Sequence, residues 1–252
     1  MNPLISIIVP VYNHREALKK ALASIEAQTY RPIEVIIVDD GSDDGLRTTP
    51  ARRSGGDFGL RTNLPLQLIR QEHQGAPAAR NRGLAEAKGE YVIFWDADVV
   101  GEPEMLEKMK RMLDERLEAS YVYSNFQFSI FNFQKFFSFK KRMPAREFVG
   151  EELKKNNFIH STSLIRREDV VLWDESLERF QDWDLWLTML EKGKTGVWVP
   201  EYLFTVLPHR HGMSTWLPAF VYRKPWKFLP FVRNAVKKYE EALGVVKRKH
   251  GL

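Results

Sequence analysis

The chain has 252 residues, 44% of them apolar, 28% charged and 12% aromatic, with a formal net charge of +5. That mixture excludes a long disordered tail, a collagen-like repeat and a low-complexity array, and the length fits one large domain or one domain with a smaller annex. Cysteine is absent, so disulfides, thiolate metal sites and a cysteine nucleophile are excluded, and any metal must use carboxylate or imidazole.

Leu4–Val11 (LISIIVPV) is a continuous apolar run of the kind buried on both faces of a parallel sheet. Beyond it, Asn13 is expected to cap a helix with Glu16 three residues on, because Ala17, Leu18, Ala21, Leu22 and Ile25 recur at helical spacing. Ile33–Val38, Leu66–Arg70 and Tyr91–Trp95 read as further strands, with a helix over Ala78–Ala87 before the last. Gly41–Pro65 reads as an irregular excursion; its GGDFG segment neither follows a strand directly nor opens a periodic helix, so it is no dinucleotide fingerprint.

In the second part of the chain, Pro103–Leu117 is expected to be a helix, Tyr121–Phe128 a half-exposed strand and Glu147–Asn157 a helix. Ser161–Ile165 is a short strand candidate, Asp182–Glu191 a helix, and Gly196–Val199 and Leu203–Leu207 two more strands. Phe126–Phe139 holds seven of the 16 phenylalanines, which suit either an acceptor site or the core.

Residues 221–252 carry nine Lys or Arg against two Glu, so the positive charge is a property of the tail and the preceding body is close to neutral. Trp216–Phe231 interleaves aromatics with cations and carries three prolines, which suits either a membrane-interface element or an arm packed on the body. The cations follow no nucleic-acid recognition motif, and nucleic acid is not expected as a partner. No stretch of about 18 apolar residues exists and the N-terminus has no leader pattern, so a cytoplasmic protein is expected, peripheral on the membrane at most.

Alternating strands and helices predict an α/β fold with a mostly parallel sheet, in which ligands sit outside the carboxyl ends of the strands. Four polar clusters fall at such ends: Tyr12-Asn13, Asp39-Asp40-Gly41-Ser42, Gln71–Gly75 and Asp96-Ala97-Asp98. Any one of them serves equally as a turn device; four together point to a site. Asp96 and Asp98, two apart in extended chain, would face one side and suit Mg²⁺ or Mn²⁺, hard ions that keep waters and bridge to a diphosphate.

Pro10-Val11-Tyr12-Asn13, Val38-Asp39-Asp40-Gly41-Ser42, Gly75 with Ala79-Arg80-Asn81-Arg82-Gly83, and Asp96-Ala97-Asp98 together resemble the family 2 inverting glycosyltransferases of GT-A fold. The resemblance continues through Ser161–Glu168, Phe180–Trp186 and Arg210–Ser214. It implies a catalytic domain over residues 1–215, with a nucleotide-binding half over 1–100 and an acceptor half over 101–215, followed by a basic aromatic arm over 216–252. It further implies a nucleotide-diphosphate sugar donor, UDP-sugars foremost, and a glycan or lipid-linked acceptor, in cell-surface polysaccharide or glycolipid synthesis.

Under that resemblance, Pro10, Val11, Tyr12 and Asn13 hold the nucleoside, Asp40 accepts from a uracil-type imide N–H and Asp39 reaches ribose. Arg80 approaches the nucleotide or its phosphates, or is a plain helix arginine. Asp98 coordinates the divalent ion, Asp96 supports ribose or metal, and His211 is a further ligand, with His209 as its substitute. Inversion needs a base opposite the leaving group. The implied base is Asp182, favoured as carboxylate at a helix start, with Asp184 as the competitor and an ordinary cap aspartate as the plain alternative. Gln181 replaces the family's usual Glu, a departure that leaves open a non-catalytic scaffold. A sugar-nucleotide-forming nucleotidyltransferase is the rival enzyme, but it needs a Gly-rich basic loop that PVYN lacks. His160 is a less persuasive ligand, equally readable as a satisfied polar residue at a strand start.

Overall fold

The computed structural model describes residues 2–46, 63–132, 137–208 and 230–252. The elements run β1 (Ile5–Val11), α1 (Arg15–Glu26), β2 (Ile33–Asp39), β3 (Leu66–Arg70), α2 (Ala76–Glu86), β4 (Tyr91–Phe94), β5 (Val99–Gly101), α3 (Met105–Glu115), β6 (Tyr121–Asn132) and β7 (Phe137–Met143). They continue with α4 (Gly150–Lys155), β8 (Leu164–Arg166), α5 (Gln181–Glu191), β9 (Gly196–Val206) and α6 (Pro230–Lys249).

The strands form one nine-stranded sheet in the order β3-β2-β1-β4-β8-β6-β9-β5, with β7 beside β6. The first four of these run parallel, in keeping with the apolar runs of β1 and β4, and β6 pairs parallel to β9. Antiparallel pairs link β4 to β8, β8 to β6, β5 to β9 and β7 to β6. The result is a mixed, helix-flanked α/β sheet of the GT-A type.

Side chains alternate along β1 and so feed two cores. Ile5, Ile7, Val9 and Val11 pack with Leu18, Leu22 and Ile25 of α1 and Met105, Leu106 and Met109 of α3. Ile8 packs on the other face with Ala79 of α2, Trp183 and Trp186 of α5 and Val246 of α6. Helix α2 lies close against the sheet because its contact face is small: a Cβ on Gly83 would stand 2.4 Å from Ile8 Cγ2.

Several sequence expectations need correction. Asn13 does not cap α1; its φ is +55°, and its Oδ1 accepts from the Asp43 N–H at 2.8 Å. The helix starts at Arg15, whose N–H donates to Asp44 Oδ2 across the loop at 2.9 Å, so a distant acid supplies the cap. Asp96–Asp98 is not extended. The Val99 N–H donates to the Asp96 carbonyl at 2.9 Å, closing a turn that sends the chain into β5, which pairs antiparallel with β9. The two strands expected over 196–207 are one, β9, whose pairing with β6 shifts register around Asn125.

Helix α6 packs on the body, with Val232, Val236 and Val246 buried. The part of the arm from Trp216 to Leu229 lies outside the described residues. No helix among the described residues is long and apolar enough to cross a membrane.

Candidate active site

The carboxyl ends of β1, β2 and β3 are stitched together by their own backbone. The Asp40 N–H donates to the Val11 carbonyl at 2.9 Å and the Gln71 N–H to the Asp39 carbonyl at 2.9 Å. Pro10 and Val11 lie opposite Val38 and Asp39 in the parallel register. The Asn13 N–H donates to Ser42 Oγ at 3.0 Å, and Gly41 takes φ +83° with the His73 nitrogen 3.0 Å from where its Cβ would be, so only glycine fits that turn.

The two aspartates of this turn are used differently. Asp40 accepts from Gln71 Nε2 at 2.8 Å, the Gln74 N–H at 2.9 Å and the Gly75 N–H at 2.8 Å, and His73 Nδ1 lies 2.8 Å from its Oδ2. Asp39 Oδ1 accepts from the Ser42 N–H at 2.9 Å. Its Oδ2 takes no hydrogen bond, although Arg70 Nη1 is 3.2 Å away. Tyr12 stacks on His73 with ring centroids 3.9 Å apart and remains 41% exposed.

Arg80 of α2 crosses from this half of the molecule to the other. Its Nη2 donates to Asp96 Oδ1 at 2.8 Å and its Nη1 to Gln181 Oε1 at 3.3 Å, while its guanidinium lies 4.3 Å from the Trp173 ring centroid. Asp96 Oδ2 accepts from Ser161 Oγ at 2.8 Å. Burial pushes the Asp96 carboxyl up, but the Arg80 charge, His160 and these hydrogen bonds together hold it below the ordinary carboxylate range.

Asp182 sits one residue inside α5, not at its cap; the cap is Phe180, with a left-handed φ of +58°. Asp182 Oδ2 accepts from Asn157 Nδ2 at 2.8 Å and Oδ1 from the Trp183 N–H at 2.9 Å. Burial raises its pKa above the ordinary value, against the opposing pull of His160, the Trp183 N–H and Arg80. His160 is the residue the sequence undervalued. It feels Asp96, Asp182 and Asp98 together, yet burial lowers its pKa. Its ring packs against both Phe126 and Phe204, with centroids 4.8 and 5.0 Å away. The buried run Ser161-Thr162-Ser163, three hydroxyls entering a strand, was the available signal for this loop.

Asp184, the competing base, is elsewhere. It is buried within α5, with Lys249 Nζ 2.7 Å and His250 Nε2 2.8 Å from its Oδ1. Asp98 occupies the turn after β4, and its carbonyl accepts from the Leu207 N–H at 2.8 Å. His209 and His211 lie outside the described residues. Among the described residues no three His, Asp or Glu side chains are grouped to hold a metal. Asp96 is committed to Arg80 and Ser161.

A parallel half-sheet whose strand ends carry acidic turns, joined to a second half bearing a carboxylate at a helix start, places a polar cleft where α/β sheets bind their ligands. The chain belongs to the glycosyl transferase family 2, whose pattern it matches over residues 6–172. It is a glycosyltransferase. It is 30% identical over 254 residues to TuaG of Bacillus subtilis, a glycosyltransferase named for a proposed part in teichuronic acid biosynthesis, covering 94% of this chain and 97% of that one. It is 33% identical to the amylovoran biosynthesis glycosyltransferase AmsB of Erwinia amylovora, over 71% of this chain and 62% of AmsB. Among solved structures, S. aureus TarS 1-349 in complex with UDP-GlcNAc superposes with a TM-score of 0.65 at 19% identity, over 85% of this chain and 61% of that one. The mannosyltransferase PcManGT from Pyrobaculum calidifontis, in complex with GDP-Man and Mn2+, gives 0.58 at 21% identity, over 82% and 57%.

Proposed function

We propose that this glycosyltransferase moves a sugar from a nucleotide-diphosphate donor to an acceptor hydroxyl by a single displacement that inverts the anomeric carbon. The observation that carries this reading is the reach of Arg80. One guanidinium bonds both Asp96, at the end of β4, and Gln181, the residue before Asp182, so donor-side and acceptor-side carboxylates share one cleft.

In this reading the nucleobase stacks near Tyr12, and Asp39, whose Oδ2 pairs with Arg70 but takes no hydrogen bond, reads an imide N–H. Asp40, whose oxygens are already engaged, holds the Gln71–Gly75 turn. Asp39 is thus proposed for the imide contact expected of Asp40, and Asp40 for support of the turn. Pro10, Val11 and Asn13 shape the nucleoside floor. Asp182 takes the proton of the acceptor hydroxyl as that oxygen bonds to C1 and the C1–O bond to the diphosphate breaks, its pair leaving with the nucleoside diphosphate.

A Mg²⁺ or Mn²⁺ ion fits Asp98 as a single carboxylate anchor, since such ions are held by one or two carboxylates with waters and substrate phosphates; His211 is the further ligand proposed. When bound, it would neutralise charge on the departing diphosphate. The names of TuaG and AmsB, which cite teichuronic acid and amylovoran biosynthesis, support a polysaccharide product, and the basic arm over 216–252 is proposed to meet the membrane, where a lipid-linked acceptor would reside, with the surface that α6 does not pack on the body. Gln181 does not favour the scaffold reading, because its amide serves the Arg80 contact an acidic residue would make.

The test is the anomeric configuration of the sugar product, read by proton NMR from UDP-sugars and GDP-mannose. Inversion relative to the donor is expected, and retention would overturn the single-displacement mechanism.

A further inference from the structure

The loop before β8 carries a run of side chains whose orientations are fixed by chemistry. Asn157 Oδ1 accepts from the Ile159 N–H at 3.0 Å, so its amide nitrogen must point the other way, where it donates to Asp182 Oδ2 at 2.8 Å. A flipped amide would set NH₂ against N–H on one side and oxygen against carboxylate on the other, two repulsions in place of two bonds. Three residues on, His160 Nδ1 accepts from the Thr162 N–H at 3.0 Å, which makes the ring neutral with its proton on Nε2. Ser161 then donates to Asp96. One short segment therefore grips both carboxylates of the cleft.

The geometry points to Asn157 as the positioning residue of Asp182: its backbone-locked amide fixes the plane of that carboxylate and sustains its charged form against burial. Asp182 has one protein donor on each oxygen, Asn157 on Oδ2 and the Trp183 N–H on Oδ1. The remaining lone pairs stay available for the acceptor proton. The charged groups acting on it are Arg80 from α2 and Asp96 from the end of β4, while His160 from the same loop faces it as a neutral ring. Without the amide, desolvation is opposed by the Trp183 N–H and Arg80 while Asp96 adds to it, and the carboxylate rotates about its side-chain bonds. The inference rests on the reading of Asp182 as the base.

Asn157→Ala and Asn157→Asp separate positioning from plain structure. The Asp variant is isosteric and keeps an oxygen for the Ile159 N–H, so a purely structural role makes it the milder change. A positioning role makes it the worse one, because it sets a second carboxyl against Asp182. The Asp182 carboxyl resonance, assigned by its loss in Asp182→Asn, is followed by ¹³C NMR titration of the full chain. The expected order of midpoints is Asn157→Asp highest, then Asn157→Ala, then wild type. With UDP-glucose and UDP-N-acetylglucosamine as probes and water as acceptor, kcat should fall on the order of tenfold to a hundredfold with donor KM unchanged. An unchanged Asp182 midpoint in both folded variants would overturn the inference. Full turnover by Asp182→Asn would instead overturn the base assignment and leave the titration result standing.

Discussion

Arg80 and Asp96 form a 2.8 Å ion pair in which the guanidinium side chain is only 8% exposed. Its second arm is spent on Gln181 and its face on Trp173. Removing the cation alone leaves a carboxylate without its main partner. Arg80→Met should therefore cost about 3–5 kcal/mol of stability, measured by urea unfolding followed by circular dichroism. Because the Asp96 pKa is depressed in the fold, its contribution is present above the unfolded carboxylate value and is lost as pH falls through the folded one. The variant should lose less stability on acidification than wild type; parallel acid-unfolding profiles would contradict this.

The base assignment predicts opposite effects on activity and stability. Asp182→Asn should reduce transfer at least about a hundredfold while the thermal midpoint at neutral pH stays equal or rises. The sign follows from the raised pKa: an acid whose folded pKa exceeds its unfolded one favours the fold while protonated, and that advantage is lost as pH climbs through the folded value. The same shift places the acidic limb of the wild-type rate profile above the range of an ordinary aspartate. A marked drop in midpoint for Asp182→Asn would show that its carboxylate is a structural support.

Asp98 is predicted to link donor and cation. In a thermal-shift series with UDP, adding Mn²⁺ should raise the midpoint further in wild type, and Asp98→Asn should lose that increment while keeping the response to UDP alone. An undiminished increment in the variant would remove Asp98 from the metal site.

At the far end of the chain, Lys249 pairs with Asp174 at 2.6 Å and with Asp184 at 2.7 Å. His250, whose side chain is 2% exposed, sits between Asp184 and Glu191. These bonds clasp α6 to α5, the helix that carries Asp182. Deleting residues 249–252 should cost about 3–5 kcal/mol, since Asp184 would be left buried without Lys249 and His250. The loss should be only weakly relieved by salt, which screens buried charge poorly. The Lys249 hydrogen bond, with help from Ser176, lowers the Asp174 pKa to about 2. Its share of the stability therefore exists above the unfolded aspartate value and disappears as pH drops toward about 2. Equal urea midpoints for the full and shortened chains would dismiss the clasp.

The elements legible in the sequence were those whose signal is local. Ile5–Val11, Ile33–Asp39 and Tyr91–Phe94 are apolar throughout their buried cores because both faces of the sheet are covered. What escaped was set by distant partners. Strand β5 is three residues long and exists because β9 pairs with it. Helix α1 is capped by Asp44 from another loop, and no window around Asn13 contains that fact. Helix α6 read as a basic arm because its buried valines are few among charges. In the site, motif carboxylates were readable from position after strands, whereas Asn157 and His160 acquire meaning only once β8 is laid between β4 and β6.

The guanidinium of Arg80 over Trp173 gives the molecule a built-in optical gauge. An indole in van der Waals range of a cation changes emission when that cation shifts. A donor that draws Arg80 toward its phosphates would thus announce itself in the ultraviolet fluorescence of the unlabelled protein, before any sugar has moved.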